Sequence, residues 1–352
     1  MSIPLGRNGK WAWTLLILPL LLAGNALSTG AHAAELVVAS WGDPMHAGWR
    51  KSLIPKFEER TGAEVIWTEG FSSQTLGKLK AQAAKPEIDV ALFDDGPFYQ
   101  AVQLGLCQEI DFSKIPNVEK LYPAARDAAP NGVLFGIVGV GMWYNTQIFE
   151  AKGWAPPTSW MDVFDPKFNK RISGHTIANG NGFATLLAFN DILGGNTPDN
   201  MDPAFEKLKE YAKVVVTFDQ FGETPTLIQQ ESTVMGIWSN DRIWNLSRIG
   251  GMPIKLVFPK EGFYGWREAA CIPKGRPAES VELAHIFIDM LLSKEEQENT
   301  AKYNGFIPLH PEITGYGTRE EIENVKWIPW DVVNPYRAEW TERWAKEVER
   351  KK

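Results

Sequence analysis

Cysteine and histidine are scarce in this sequence of 352 residues, and their scarcity limits its metal and redox chemistry. Cys107 and Cys271 are the only cysteines, so the chain has no Cys-x-x-Cys redox motif. The five histidines include no pair at metal-ligand spacing. We therefore expect neither a metal nor a cofactor. The two cysteines lie far apart in the sequence, so a disulfide and a pair of buried free thiols both remain open.

Recognisable catalytic motifs are also missing, including the Gly-x-Ser-x-Gly nucleophile elbow. The segment Asn179–Gly182 looks like a glycine-rich loop, but it lacks the Walker lysine and the spacing of a dinucleotide-binding motif. We interpret it as a strand-to-helix turn that presents backbone N–H groups and two amide side chains to a cleft. These absences predict a binding protein. One alternative is an exported enzyme with Asp94, Asp95 and Glu268 as its acid–base groups.

The N-terminal apolar stretch is shorter than the ~20 residues that a membrane-spanning helix needs. Arg7 and Lys10 precede this stretch, which covers residues 11–27, and the small residues 31–34 follow it. Such an order predicts a cleaved secretory signal peptide over residues 1–33. A membrane anchor is disfavoured because proline, glycine and asparagine interrupt the stretch. No cysteine follows to carry a lipid, so we expect a soluble protein in the periplasm.

Basic residues are in deficit as well. Without the signal peptide, the chain carries 34 basic residues against 43 acidic ones, a formal charge of −9. This balance excludes nucleic acid as a partner on bulk charge. Tryptophan, by contrast, is abundant, with 15 residues in the whole sequence. About 320 residues are more than one hydrophobic core usually organises, which predicts two lobes.

Short apolar segments alternate with amphipathic helical patterns, and they do so in two groups. The first group has the order βαβαβ, which implies a parallel sheet covered by helices. The strands are predicted at 35–40, 65–67, 88–93, 175–178 and 234–238. Helices of the second group are predicted at 183–193 and 204–215. The pattern indicates an α/β protein in which each lobe is a mostly parallel sheet wrapped by helices.

Two extended segments rich in glycine and β-forming residues, 134–144 and 256–272, are interpreted as crossovers between the lobes. We assign residues 34–140 and 267–310 to the first lobe, and residues 141–266 and 311–352 to the second. The ligand cleft is expected between them.

Aromatic and acidic residues recur directly after the predicted strands. In open α/β sheets, ligands bind beyond the carboxyl ends of the strands, so these positions are candidate ligand contacts. Any one of them alone is more typical of a packed tryptophan or a helix-capping aspartate, and their shared position is what favours a site. The candidates are Trp41, Asp94, Asp95, Asn179 and Trp238, with Trp266 and Glu268 in the second crossover.

Several segments occur in an order that resembles a known family. They are Val37–Gly42, Ile88–Asp94, Ser159–Lys167, Met235–Asn240, Pro259–Gly262 with Trp266–Glu268, and Gly305–Pro308. Together they resemble the type 2 periplasmic solute-binding proteins of the spermidine/putrescine-binding group, over nearly the whole mature chain. The resemblance implies a monomeric two-lobed binding protein for a small amine or amino-acid-like ligand. It also implies the membrane permease subunits of an ABC importer as partners.

The same resemblance implies roles for individual residues. Trp41, Trp238, Trp266 and Phe306 would form an aromatic box, which suits a cation because aromatic faces attract positive charge. Asp94 would be a polar contact in the first lobe. Glu268 would pair with a ligand amine through a charge-assisted hydrogen bond. Trp330 and Asp331 would add a further wall and a further acid.

The chain departs from the polyamine binders at one place. Where they carry acidic residues in the second lobe, this chain has Asn179–Gly182, which favours a neutral or anionic ligand end. An ω-amino acid such as 4-aminobutyrate, or an amino-sugar conjugate, fits that expectation. A diamine or polyamine stays open if Asp94, Asp95 and Asp331 all face the cleft. Thiamine and an iron or anion receptor of the same fold are the remaining alternatives.

Overall fold

The structure, a computed structural model, describes residues 34–42, 46–125, 130–220, 222–316, 319–323 and 325–349. The predicted signal peptide, residues 1–33, lies outside that part of the chain. Within the described ranges, no helix is both long enough and apolar enough to cross a bilayer.

The first third of the described chain alternates strands and helices, as its apolar pattern predicts. Its elements are β1 (Glu35–Ser40), α1 (Ala47–Lys51), α2 (Leu53–Thr61), β2 (Glu64–Glu69), α3 (Ser72–Ala81), β3 (Val90–Asp94) and α4 (Asp95–Gln103). Gly62 ends α2 in the left-handed conformation that glycine adopts without strain. Three short 3-10 helices follow, at Phe112–Lys114, Pro116–Lys120 and Pro123–Ala125.

The middle of the chain begins with a long strand and then repeats the alternation. Its elements are β4 (Val133–Asn145), α5 (Thr146–Lys152), β5 (Ile172–His175), α6 (Gly180–Ile192), α7 (Asp202–Val214), β6 (Val215–Asp219), α8 (Thr224–Gln229), β7 (Met235–Ser239) and α9 (Asn240–Trp244). Short 3-10 helices lie at Trp160–Phe164 and Pro166–Phe168, and a π-helical turn lies at Asn245–Ile249. The strand predicted at 175–178 is wrong in position: β5 ends at His175, because the chain turns at Thr176, whose carbonyl accepts the N–H of Asn179.

The last third adds two strands and the C-terminal helices. Its elements are β8 (Ile254–Val257), β9 (Tyr264–Cys271), α10 (Ala278–Leu291), α11 (Lys294–Asn304), α12 (Arg319–Glu323), β10 (Lys326–Trp327), α13 (Trp330–Val333) and α14 (Arg337–Trp344). A 3-10 turn at Asn334–Tyr336 precedes α14, and a π-helical turn at Ala345–Glu349 follows it. The predicted extended segment 256–272 is therefore two strands, because the chain turns between them at Gly262, which has a φ of 87°.

The strands pair in the order β2-β1-β3-β9-β4-β7-β5-β6. Strand β1 is parallel to β2 and β3, and β5 is parallel to β6 and β7. Between these two parallel groups, β9 and β4 run antiparallel to each other and to their outer neighbours β3 and β7. The predicted fold class, two α/β lobes joined by extended segments, is thereby confirmed.

Cys107 and Cys271 form a disulfide, which resolves the choice that the sequence left open. It connects the segment after α4 to the end of β9, 164 residues further along the chain. Cys107 is also in β-bridge contact with Pro273, so the backbone already holds the two segments together. The disulfide therefore fixes β9 to the first group of strands.

Candidate functional site

A cavity of about 550 Å³ lies where the ends of the two parallel strand groups meet. From the first group it is lined by residues at or after the ends of β1, β2 and β3: Trp41, Gly42, Glu69, Gly70, Phe71, Gln74 and Asp94. From the second group it is lined by residues after β5 and by residues at or after the end of β7: Asn179, Gly180, Asn181, Ser239, Asp241 and Arg242. Val138 of β4, Trp266 and Glu268 of β9, and Phe306 complete the wall. Five of the seven candidates chosen by their position near strand ends or in the second crossover thus line one cavity: Trp41, Asp94, Asn179, Trp266 and Glu268.

Glu268 lies deepest among the acidic residues of this cavity. It sits on β9 directly opposite Asp94 of β3, and its side chain is only 2% exposed. One carboxylate oxygen, Oε1, accepts a hydrogen bond of 3.1 Å from the indole N–H of Trp266. The other oxygen, Oε2, is buried and has no hydrogen-bond partner in the described part of the protein. Because an unsatisfied buried carboxylate oxygen is costly, this atom is available to a ligand donor.

Asp241 is a third acid of the cavity, and the sequence reasoning missed it. It lies in the first turn of α9, two residues after the end of β7, and is 5% exposed. Its Oδ2 is 3.4 Å from Nε of Arg242, while Oδ1 is buried without a hydrogen-bond partner among the described residues. The rule that selected Asp94 after β3 would also have selected Asp241 after β7.

The electrostatics of the three acids are coupled. Burial raises the pKa of Glu268 well above its ordinary value, and the negative charges of Asp94 and Asp241 raise it further. Burial likewise raises the pKa of Asp94, and the charge of Asp241 adds to that shift. In the free protein Glu268 and Asp94 therefore bind protons more strongly than isolated carboxyl groups do. A bound cation would favour their release.

Three aromatic side chains of the predicted box line the cavity, and the fourth does not. Trp41 and Phe306 meet edge to face with 6.1 Å between ring centroids, and Trp266 lies across from Gly180. The ring of Trp238 instead packs on His175 at 4.9 Å, within a small apolar cluster that also holds Trp143, Ile228, Ile243 and Ile254. Phe71, which is 72% exposed, supplies a further aromatic ring at the cavity wall.

Asp95 is placed away from the cavity, in the interior of the protein. It is fully buried, where it accepts hydrogen bonds from the backbone N–H of Arg267 and from the indole N–H of Trp330. Burial raises the pKa of Asp95 to about 7. Asp331 is exposed and lines no described cavity. The structure thus separates both acids from Asp94 and Glu268.

Asn179 caps helix α6 and faces the ligand space. Its Oδ1 accepts hydrogen bonds from the backbone N–H groups of Asn181, at 3.0 Å, and Gly182, at 3.2 Å. Oδ1 of Asn181 is buried and lacks a hydrogen-bond partner in the described residues. Gly182 is required here because a Cβ would lie 2.2 Å from the carbonyl oxygen of Thr176.

A second cavity of about 400 Å³ adjoins the first. The two share Trp41, Phe71, Asp94, Asn179, Gly180 and Trp266. The second alone is lined by Ser72, Ser73, Pro97, Ala178, Trp330 and Arg337. Trp330, predicted as an extra wall of the site, therefore lies beside this chamber. In the described ranges, no group of three or more histidine, cysteine or acidic residues is arranged to hold a metal ion.

An acidic and aromatic cavity at the strand ends of a two-lobed α/β fold is typical of a solute-binding protein. The chain belongs to the family of bacterial extracellular solute-binding proteins, whose profile matches residues 52–319. It is the solute-binding component of an ABC transporter. Proteins of this kind bind small ligands and work with permease subunits, and the chain's relatives and fold neighbours are substrate-binding proteins rather than enzymes.

Three comparisons illustrate the relationship. The spermidine/putrescine-binding periplasmic protein of Escherichia coli is 26% identical over 347 residues, which covers 87% of this chain and 92% of that protein. A solved ABC transporter structure from Clostridium perfringens superposes with a TM-score of 0.73 at 24% identity, over 89% of this chain and 99% of that one. A solved structure of the Atu4243 GABA receptor has a TM-score of 0.70 at 25% identity, over 88% of this chain and 96% of that one.

Proposed function

We propose that this protein captures a small solute carrying a primary ammonium group and delivers it to the permease of an ABC importer. The observation that supports the proposal is the pair of buried carboxylate oxygens, Oε2 of Glu268 and Oδ1 of Asp241, that have no hydrogen-bond partner among the described residues. Both belong to residues that line the cavity. An ammonium group has three N–H donors, which suits a site of several acceptors.

Charge and aromatic contacts support the same ligand class. The first cavity holds four acids, Glu69, Asp94, Asp241 and Glu268, against one base, Arg242. The rings of Trp41, Trp266 and Phe306 would stack against the methylene groups of an alkylammonium and attract its charge. An anion without an amine would meet several carboxylates and no equivalent number of donors.

Polyamines and ω-amino acids both carry an ammonium group, and they differ in the group at the other end of the molecule. The E. coli relative is named for spermidine and putrescine, whereas one fold neighbour is named as a GABA receptor. Asp241 gives the second group of strands an acid that a diamine could use. Asn179 and Gly180, by contrast, bring the N-terminus of α6 to both cavities, where it favours negative charge. We therefore favour an ω-amino acid of the 4-aminobutyrate type.

The remaining parts of the proposal follow from the sequence. We propose export through a signal peptide over residues 1–33, function in the periplasm and a monomeric state. Residues 34–140 and 267–310 would form one lobe, and residues 141–266 and 311–352 the other. The lobes would move about the two segments that join the strand groups, β4 and the β8–β9 region.

Titration calorimetry with 4-aminobutyrate, putrescine, n-butylamine and butyrate tests the ligand class. We expect the amines to bind, butyrate to be undetectable, and 4-aminobutyrate to bind more tightly than putrescine. If butyrate bound as well as 4-aminobutyrate, the ammonium site would be refuted. A preference for putrescine of about tenfold, or 1.4 kcal/mol, would make the protein a polyamine binder instead.

A further inference from the structure

Arg337 is the first residue of helix α14 and the one basic residue among those that line the second cavity. In the described part of the chain it forms no ion pair and donates no hydrogen bond, although it is only partly exposed. Its contacts are with aromatic faces: Cζ lies 5.5 Å from the ring centroid of Phe183 and 5.4 Å from that of Trp330. Phe183 and Trp330 are themselves stacked at 5.7 Å. The charged group is therefore held in place while its N–H donors stay available.

Arg337 lines the second cavity, and other groups there are also suited to an anion. Ser72 and Ser73 begin helix α3, of 10 residues, and Asn179 and Gly180 begin α6, of 13 residues. Helix N-termini carry partial positive charge and favour oxyanions. The one acid of this chamber is Asp94, whose charge partly offsets the lowering of the pKa of Arg337 that burial causes.

Other arginines near the site are already engaged. Arg242 contacts Asp241, with 3.4 Å between Nε and Oδ2. Arg267 lies over the ring of Trp327 at 4.0 Å and contacts Tyr99 and Asp95. It lines neither of the two cavities. Partly burying a cation without a partner is unfavourable, and planar guanidinium groups bind oxyanions in a bidentate manner.

We propose that the second cavity is an oxyanion subsite centred on Arg337, contiguous with the ammonium site of Asp94, Asp241 and Glu268. This inference rests on the proposed function, and it defines the ligand as a short zwitterion with an amine at one end and a carboxylate or similar compact oxyanion at the other. The two cavities share Asp94 and Trp41, so a single short chain can reach both. Its ammonium would occupy the first cavity and its oxyanion the second.

Calorimetry of Arg337→Gln against two matched ligands tests the subsite, because 4-aminobutyrate and n-butylamine differ only in the carboxylate. We expect the wild-type protein to prefer 4-aminobutyrate by about tenfold or more, as a charge-assisted contact implies. In Arg337→Gln this preference should vanish, while the affinity for n-butylamine changes less than about threefold. A third ligand, 3-aminopropylphosphonate, distinguishes a carboxylate site from one that prefers a larger oxyanion.

The matched control is Arg248→Gln, because Arg248 also lies over two aromatic rings, those of Trp244 and Tyr316, but lines neither cavity. It should leave both affinities unchanged. If Arg337→Gln folds poorly, as judged by its melting temperature, Ser73→Ala supplies a second variant, since it removes a hydroxyl of the same chamber without disturbing the stacked rings. It should weaken 4-aminobutyrate and 3-aminopropylphosphonate binding but not n-butylamine binding.

The outcomes separate this inference from the function on which it rests. If the wild-type protein binds both amines equally, or if Arg242→Gln rather than Arg337→Gln abolishes the preference, the subsite at Arg337 is refuted and amine capture stands. If the wild-type protein binds neither amine, the proposed function fails, and the inference fails with it.

Discussion

At the scale of single residues, the cavity brings three acidic side chains together. Glu268 and Asp94 face each other across paired strands, and Asp241 approaches from the second strand group. Burial raises the pKa of Glu268 and of Asp94, and the negative charge of Asp241 raises both further, so these two carboxyl groups bind protons more strongly than exposed ones. A cationic ligand would balance the negative charge of these three acids.

Substituting Glu268 by glutamine should separate ligand binding from folding. The amide keeps the shape of the side chain but removes the ion pair, and losing a desolvated partner typically costs about 2–5 kcal/mol. Affinity for an amine should fall well over tenfold by calorimetry. The melting temperature of the free protein should not fall, because the raised pKa of Glu268 means that its ionised form contributes no folding stability at neutral pH.

The control for this variant is Glu69→Gln, because the Glu69 side chain lines the same cavity but is 58% exposed. Its effect should be less than about threefold, as expected for a solvated charge. Titrations in buffers of different ionisation enthalpy should show that the wild-type protein releases protons on binding an amine, and that Glu268→Gln releases fewer. Equal affinity of Glu268→Gln and the wild type would remove Glu268 from the site.

At the scale of elements, helix α6 connects the stability of the fold to the choice of ligand. Its N-terminus reaches both cavities only because the Asn179 side chain caps it and Gly182 allows the turn at Thr176. Because the capping residue Asn179 is a neutral amide, the segment Asn179–Gly182 carries no negative charge. The N-terminus of α6, whose N–H groups would be costly to bury in an apolar core, is thereby placed at the cavities.

Two substitutions of Asn179 should have opposite consequences. Asn179→Ala removes the cap and should lower the free energy of unfolding by about 1 kcal/mol in urea denaturation. Asn179→Asp keeps a capping oxygen, so stability should be nearly unchanged, but it adds a carboxylate to both cavities. The ratio of putrescine to 4-aminobutyrate affinity should then rise by about tenfold. If the ratio stays constant in Asn179→Asp, the ligand does not reach the N-terminus of α6.

At the scale of the whole molecule, the cavity is built from both strand groups, so a ligand bound there contacts both at once. Trp41 and Asp94 come from the first group, and Asn179 and Asp241 from the second. The antiparallel strands β4 and β9 lie between the groups, and the Cys107–Cys271 disulfide fixes the end of β9 to the first. A ligand that contacts both groups favours any arrangement that brings them together.

Binding should therefore compact the molecule through hinge motion at the joining segments. Small-angle X-ray scattering should give a smaller radius of gyration with saturating 4-aminobutyrate than without it. Glu268→Gln at the same ligand concentration provides the control, because it should stay at the radius of the free protein. An identical radius for free and saturated wild-type protein would show that the lobes do not close on the ligand.

The sequence by itself determined the α/β class, the two groups of strands and the positions at which side chains reach the cavity. Apolar periodicity reports which segments are buried, and the carboxyl ends of parallel strands must meet at one edge. For this reason Trp41, Asp94, Asn179, Trp266 and Glu268 were all found from local pattern and resemblance, and all line the first cavity.

Only the tertiary structure decided which neighbours of those residues face the ligand. Side chains alternate across a strand, so Ser239 lines the cavity while the adjacent Trp238 packs against His175. Likewise Asp94 faces the cavity, whereas Asp95, which begins α4, is enclosed by Arg267 and Trp330. The disulfide and the position of Arg337 beside Phe183 depend on contacts between segments more than 100 residues apart. Distance in space between such segments is set by how the elements pack, and no local pattern encodes it.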